Sequence, residues 1–145
     1  MSSYPPLLKL PDVAAYEAHY RSTYCSSPLK TWDDISVWFR PDFFSHLFFE
    51  SSRRDGIKDS FSALRAERMD WIAATLRDPA ALLKQGWVRE RHCYDPNRRV
   101  ALVQTNYVVV LWINPKRRTK SNFVTAYVAD TPNTLKQILS APSWL

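Results

Sequence analysis

The sequence predicts an α+β fold: N-terminal helices packed on one face of a roughly four-stranded antiparallel sheet, followed by a short C-terminal helix. Three observations predict it. Before Gly86 apolar residues recur at helical spacing, and after it they alternate or run continuously. Short turn-like stretches separate the later segments, which suits a meander. Finally, 145 residues that are 46% hydrophobic and 14% aromatic suit one domain with an ample core, and exclude disorder.

Residues 1–12 read as an extended Pro-rich arm, 13–85 as mainly helical, 86–130 as the sheet, and 131–145 as a C-terminal helix and tail. The first helix covers PDVAAYEAHYRSTY, 11–24. Pro11 or Asp12 starts it, and Val13, Tyr16 and Tyr20 fall near helical spacing. SSPLKTWDD is a loop. In the aromatic segment 35–52, Pro41 starts a helix that buries Phe44, Leu47 and Phe48, and the helix breaks at Gly56. Residues 60–79 make the clearest helix, capped by Ser60 or Asp59 and ended by Pro79, with Phe61, Leu64, Ile72 and Leu76 as its stripe. Asp78-Pro79 then starts a short helix, AALLKQ, which Gly86 ends.

Four strands follow: WVRERHCY (87–94), RVALVQ (99–104), YVVVLWI (107–113) and NFVTAYVA (122–129). Thr105-Asn106 is a tight turn, and the third strand is apolar throughout, hence buried. The last helix runs from about Pro132 to Leu139, capped by Thr131. In a meander, the turn DPNR (95–98) and the loop NPKRRTKS (114–121) lie at one end of the sheet. Arg98, Arg99, Lys116, Arg117, Arg118 and Lys120 then converge beside His92 and Tyr94. Val124, Ala126 and Val128 meet the helices, while Phe123, Thr125 and Tyr127 share the other face. In the first strand neither the Arg89/Arg91 set nor the Glu90/His92 set can easily face a core.

The formal net charge is +6, with pI ≈ 9.5. Residues 1–60 carry 7 Lys and Arg against 8 Asp and Glu, whereas residues 61–145 carry 13 against 6. A basic C-terminal part favours a polyanion such as nucleic acid. The two Cys lack ligand spacing with His, so neither zinc nor a disulfide framework is expected. The 2 Gly exclude a Gly-rich phosphate loop, and no GxSxG motif is present. No signal peptide or long apolar run is found, so a cytoplasmic protein without membrane contact is expected.

RNA cleavage without a metal or cofactor needs a base for the 2′-hydroxyl, an acid for the leaving oxygen, and cations for the phosphorane. His92 and Glu90 offer acid/base groups, and Tyr94, Thr125 and Tyr127 offer hydroxyls. Arg65 and Arg68 lie three apart on the long helix, where a guanidinium reaches the margin of the sheet.

SALRAERMDWIAATLRDP followed by alternating strands and KSNFVTAYV resembles the phage-associated branch of the barnase–EndoU–colicin–RelE-like nuclease superfamily. The matched positions are Arg65, Arg68, Trp71-Ile72, Pro79 and Thr125-Ala126-Tyr127, within residues 60–130. The resemblance implies helices on an antiparallel sheet, metal-free RNA cleavage on the sheet's open face, and a toxin-like or phage-derived enzyme with an inhibitor or immunity partner. Arg65, Arg68, Thr125 and Tyr127 carry over from it; His92 is added from the residue chemistry. Two alternatives use the same residues differently. One is a nucleic-acid-binding module without catalysis, and the other a protein-interaction domain using the aromatic segment 35–49.

Overall fold

The computed structural model describes residues 4–51, 59–104 and 106–144. The break expected at Gly56, and Thr105 of the expected turn, lie outside them.

The arm at 4–10 is extended and tied to the helices behind it. Leu8 N–H donates to Glu67 O at 2.8 Å, and Trp71 Nε1–H to Pro5 O at 2.7 Å. Helix α1 (Val13–Tyr24) starts where the Asp12 carboxylate accepts from Ala15 N–H at 2.8 Å. Tyr16, Tyr20 and Tyr24, spaced by four, form its buried stripe. Each phenol donates to a carbonyl of another segment: Tyr16 to Leu8, Tyr20 to Arg40 and Tyr24 to Met69, at 2.7, 2.7 and 2.6 Å. The rings thus enter the core without leaving a buried hydroxyl unpaired.

The segment expected to be a loop holds strand β1 (Leu29–Lys30), and β2 (Ser36–Trp38) follows. After Pro41 a 3-10 turn leads into α2 (Phe44–Phe48), which buries Phe44, Leu47 and Phe48 as expected. Strands β3 (Phe49–Glu50) and β4 (Ser60–Phe61) form a separate two-stranded ribbon. The long helix expected at 60–79 is instead two helices, α3 (Ala63–Ala66) and α4 (Met69–Leu76). The chain leaves helical geometry at Arg68, which precedes α4.

The larger correction concerns residues 80–94. Of the expected helix AALLKQ, residues 82–85 belong to strand β5 (Leu82–Val88) and Ala80-Ala81 to the turn before it. Asp78 makes a turn, not a helix start: its carboxylate accepts from Ala80 N–H at 2.9 Å. A short apolar run does not distinguish strand from helix, and pairing with the next strand decides it. The expected strand 87–94 is then the end of β5, a 3-10 turn at Arg89–Arg91, and the start of β6 (Cys93–Leu102). Arg89, Glu90, Arg91 and His92 are all exposed, which removes the difficulty of placing those charges on a strand. His92 closes the turn with φ 49°. The expected turn DPNR lies inside β6 as an irregularity: Asp95 pairs with Gly86 and Arg99 with Gln85, leaving residues 96–98 unpaired with β5.

Strands β7 (Tyr107–Ile113) and β8 (Lys120–Val128) complete an antiparallel meander, and α5 (Pro132–Ser140) follows, capped by Thr131. The sheet has six strands rather than four, in the order β1-β2-β8-β7-β6-β5, with β2 parallel to β8. Two- and three-residue strands are too short for alternation to reveal.

The sheet separates two apolar clusters. On one face Val109, Leu111, Ile113, Phe123 and Ala126 pack with α1, α2, α3 and α4. On the other, Val100, Leu102, Val108 and Val110 pack with Leu135 and Ile138 of α5. One sorting of β8 reverses. Val110 pairs with Thr125 and Leu111 with Phe123, so Val124 is an inserted residue. The insertion turns Phe123 toward the N-terminal helices and Val124 toward α5. No helix among the described residues is long and apolar enough to cross a membrane.

Candidate nucleic-acid interface

The register fixes which side chains share the α5 face. Tyr127, Val108, Leu102 and Leu82 form one cross-strand row, and Thr125, Val110, Val100 and Lys84 form the next. Above them come Asn122, Trp112 and Arg98. Helix α5 covers only part of this surface. Beside it opens a cleft of about 510 Å³, lined by Arg98, Tyr127, Tyr94, Trp87 and the polar side chains of Gln85, Thr134 and Gln137.

Arg98 owes its place to the irregularity in β6. The Asp95 carboxylate accepts from Asn97 N–H at 2.7 Å and from Arg91, and the Asn97 side-chain Oδ1 accepts from Arg118 Nη1–H at 2.7 Å. The Asn97 amide N–H and then Arg91 hold the Asp95 carboxyl below the ordinary carboxylate range. Trp144 Nε1–H donates to Pro96 O at 2.8 Å from the other side. Arg98 then emerges across Gly86, where any β-carbon would overlap its Cγ and Cδ. Among the described residues no carboxylate pairs with Arg98.

Tyr127 shares this cleft. Burial raises its phenol above the ordinary value, opposed by the charges of Arg98 and then Arg65. Its hydroxyl is therefore a proton donor at neutral pH, flanked by positive potential. Trp87, 49% exposed, and Tyr94 meet edge-to-face with centroids 5.1 Å apart, leaving ring surface for a ligand.

The residues singled out in the sequence divide. Arg98 and Tyr127 come together, and Thr125 stands on the same face opposite Val110. Arg65 belongs to the N-terminal helical layer, held by Glu50 (Nε–Oε1 3.4 Å) and by Leu47 O; only its field reaches Tyr127. Arg68 donates to Leu64 O at 2.9 Å and covers the Trp71 ring. His92 sits apart, its ring 6.5 Å from that of Trp87. Five strand positions separate the level of Trp87 from that of Tyr127, about 17 Å at ~3.4 Å per residue.

The expected basic convergence is also selective. Arg99 points to the opposite face and is 1% exposed. It binds Asp33 (Nη1–Oδ2 2.9 Å) under the Trp144 ring, so it is a buried structural ion pair. Lys116, Arg117, Arg118 and Lys120 are exposed at the same end of the sheet as the 89–92 turn. Their loop is shaped by the Asn114 side chain, which accepts from Lys116 and Arg117 N–H. Arg118 reaches the β6 irregularity, and Lys120 lies 5.7 Å from the Trp38 ring centroid.

Sequence reasoning missed Gly86, Trp112 and the α5 side of the cleft. Gly86 did carry a signal, since a glycine within a strand marks the close approach of another group. No described group of three or more His, Cys, Asp and Glu side chains is placed to hold a metal ion. The fold and site define an α+β protein with a basic, aromatic cleft between sheet and terminal helix. No family model matches the chain, and no curated protein or solved structure matches it.

Proposed function

We propose that this protein is a metal-independent endoribonuclease that takes single-stranded RNA into the α5 cleft. The observation that carries this reading is Arg98, without a carboxylate partner among the described residues, lining the same aromatic cleft as the Tyr127 phenol, which its charge influences. A base stacks on Trp87 or Tyr94, and the adjoining phosphate takes the Arg98 guanidinium. The 2′-oxygen attacks phosphorus as its proton passes to water. The P–O5′ bond breaks, and Tyr127 gives its proton to the departing O5′, leaving a 2′,3′-cyclic phosphate. Arg98, with the field of Arg65, stabilises the phosphorane charge. The resemblance carried by Arg65, Arg68, Thr125 and Tyr127 supports the same class of reaction, although Arg68 stands in the N-terminal helical layer over Trp71.

A second reading, RNA binding without cleavage, is favoured by one observation. His92, the candidate base, stands beside Trp87 rather than Tyr127. One experiment decides between them: total RNA incubated in EDTA with wild type, Arg98→Ala and Tyr127→Phe. Discrete fragments with cyclic ends are expected from wild type. Tyr127→Phe should bind RNA yet cut about 10²-fold more slowly, as for loss of one placed donor. Bound but uncut RNA selects the second reading, and absence of both activities overturns the two together.

A further inference from the structure

The row that holds Arg98 continues across four of the six strands. Arg98 pairs with Trp112, Trp112 with Asn122, and Asn122 with Trp38 on β2, the strand next to the far edge. Side chains paired in this way share a face, so the four lie in line across β6, β7, β8 and β2. At ~4.8 Å between strands, Trp38 stands about 10 Å from Trp112 and about 14 Å from Arg98. Trp38 is 40% exposed, and Asn122 and Lys120 are exposed. Between Trp38, Asn114, Lys120 and Asn122 lies a small depression of about 210 Å³.

We infer that Trp38 and Lys120 form a second base-stacking site, which extends the cleft into a track for single-stranded RNA running across the strands. This rests on the RNA reading above and adds where the chain goes after it leaves Arg98. Charge selects the occupant. The paired rows of this face contain Lys84, Arg98 and Lys120; the carboxylate among them, Asp95 opposite Gly86, is buried and bound by Arg91, and Lys116 and Arg117 border the upper end. A flat indole with an ammonium group at its ring takes a base on the open side and a phosphate at the cation. A protein partner would be drawn to the same tryptophans, but an uncompensated cationic face suits a polyanion better.

The test compares fluorescence anisotropy of two unstructured RNA oligomers, one of about three nucleotides, below the range of single-strand site sizes, and one of about ten, within it. Trp38→Ala should weaken the longer oligomer about tenfold and the shorter less than about twofold. Trp38→Phe should restore most of the loss, since a stacking face is retained. Lys120→Gln should lower the salt slope of the longer oligomer by about 0.7, the value for one phosphate contact. Equal weakening of both lengths, or none with either, overturns the track while leaving the cleft reading intact. Failure of wild type to bind either RNA overturns the cleft reading and the track with it.

Discussion

The Arg98 side chain lies across Gly86, its Cγ and Cδ occupying the space any β-carbon at position 86 would need. A missing side chain on one strand therefore positions the cation on the next. Gly86→Ala should push Arg98 out of the cleft and reduce RNA affinity by about tenfold, the order expected for one charge-assisted contact. The cost in stability should be about 1–3 kcal/mol, as for an overpacked site. Combining it with Arg98→Ala should add little further loss of affinity, because both changes remove one contact. Titrations of the double-mutant cycle measure this; fully additive losses would show that Gly86 does not act through Arg98.

Asp33 and Arg99 behave as a buried pair. Removing the carboxylate alone leaves a guanidinium that is 1% exposed without its counter-ion. Asp33→Ala should cost about 2–4 kcal/mol in urea unfolding, somewhat below a fully buried pair because Asp33 keeps some solvent contact. Arg99→Met together with Asp33→Ala should recover much of it. RNA affinity measured on the folded double variant should stay near wild type, since Arg99 faces away from the cleft.

Acid sensitivity follows from two carboxylates. Burial pushes Asp33 upward, but the Thr31 hydroxyl and the Arg99 guanidinium outweigh it and hold its carboxyl below the usual range. Asp95 is also lowered, by Asn97 N–H and Arg91. A depressed folded pKa contributes stability that is complete above the unfolded value, about 3.9 for Asp, and is lost as pH falls through the folded value. Unfolding free energy should therefore decline below about pH 4. Asp95→Asn should make that decline shallower, as chemical denaturation at several pH values would show.

Tyr24→Phe tests the tyrosine stripe. The phenol donates to Met69 O at 2.6 Å from a fully buried position. Its loss should cost about 1–2 kcal/mol, the range for a buried acceptor losing a partner. A melting temperature unchanged from wild type would show that the Met69 carbonyl does not depend on it.

The sequence by itself determined the parts that rest on local chemistry. Asp12 and Thr131 cap their helices because their side-chain oxygens reach an N–H three residues on. The apolar run 107–113 became the central strand because a strand buried on both faces needs no alternation. The antiparallel succession of the last strands followed from their short connections, although the first of those connections is 89–92 and not the expected DPNR. Tertiary structure decided what pairing decides. LLKQ, 82–85, became strand because β6 lies beside it, and the inserted Val124 exchanged two side chains between faces. Of two adjacent arginines, Arg99 was buried against Asp33 and Arg98 was left in the cleft, because neighbours on a strand point to opposite faces. Which face is open depends on where α5 and the N-terminal helices pack, and no local pattern around Arg98 or Arg99 encodes that.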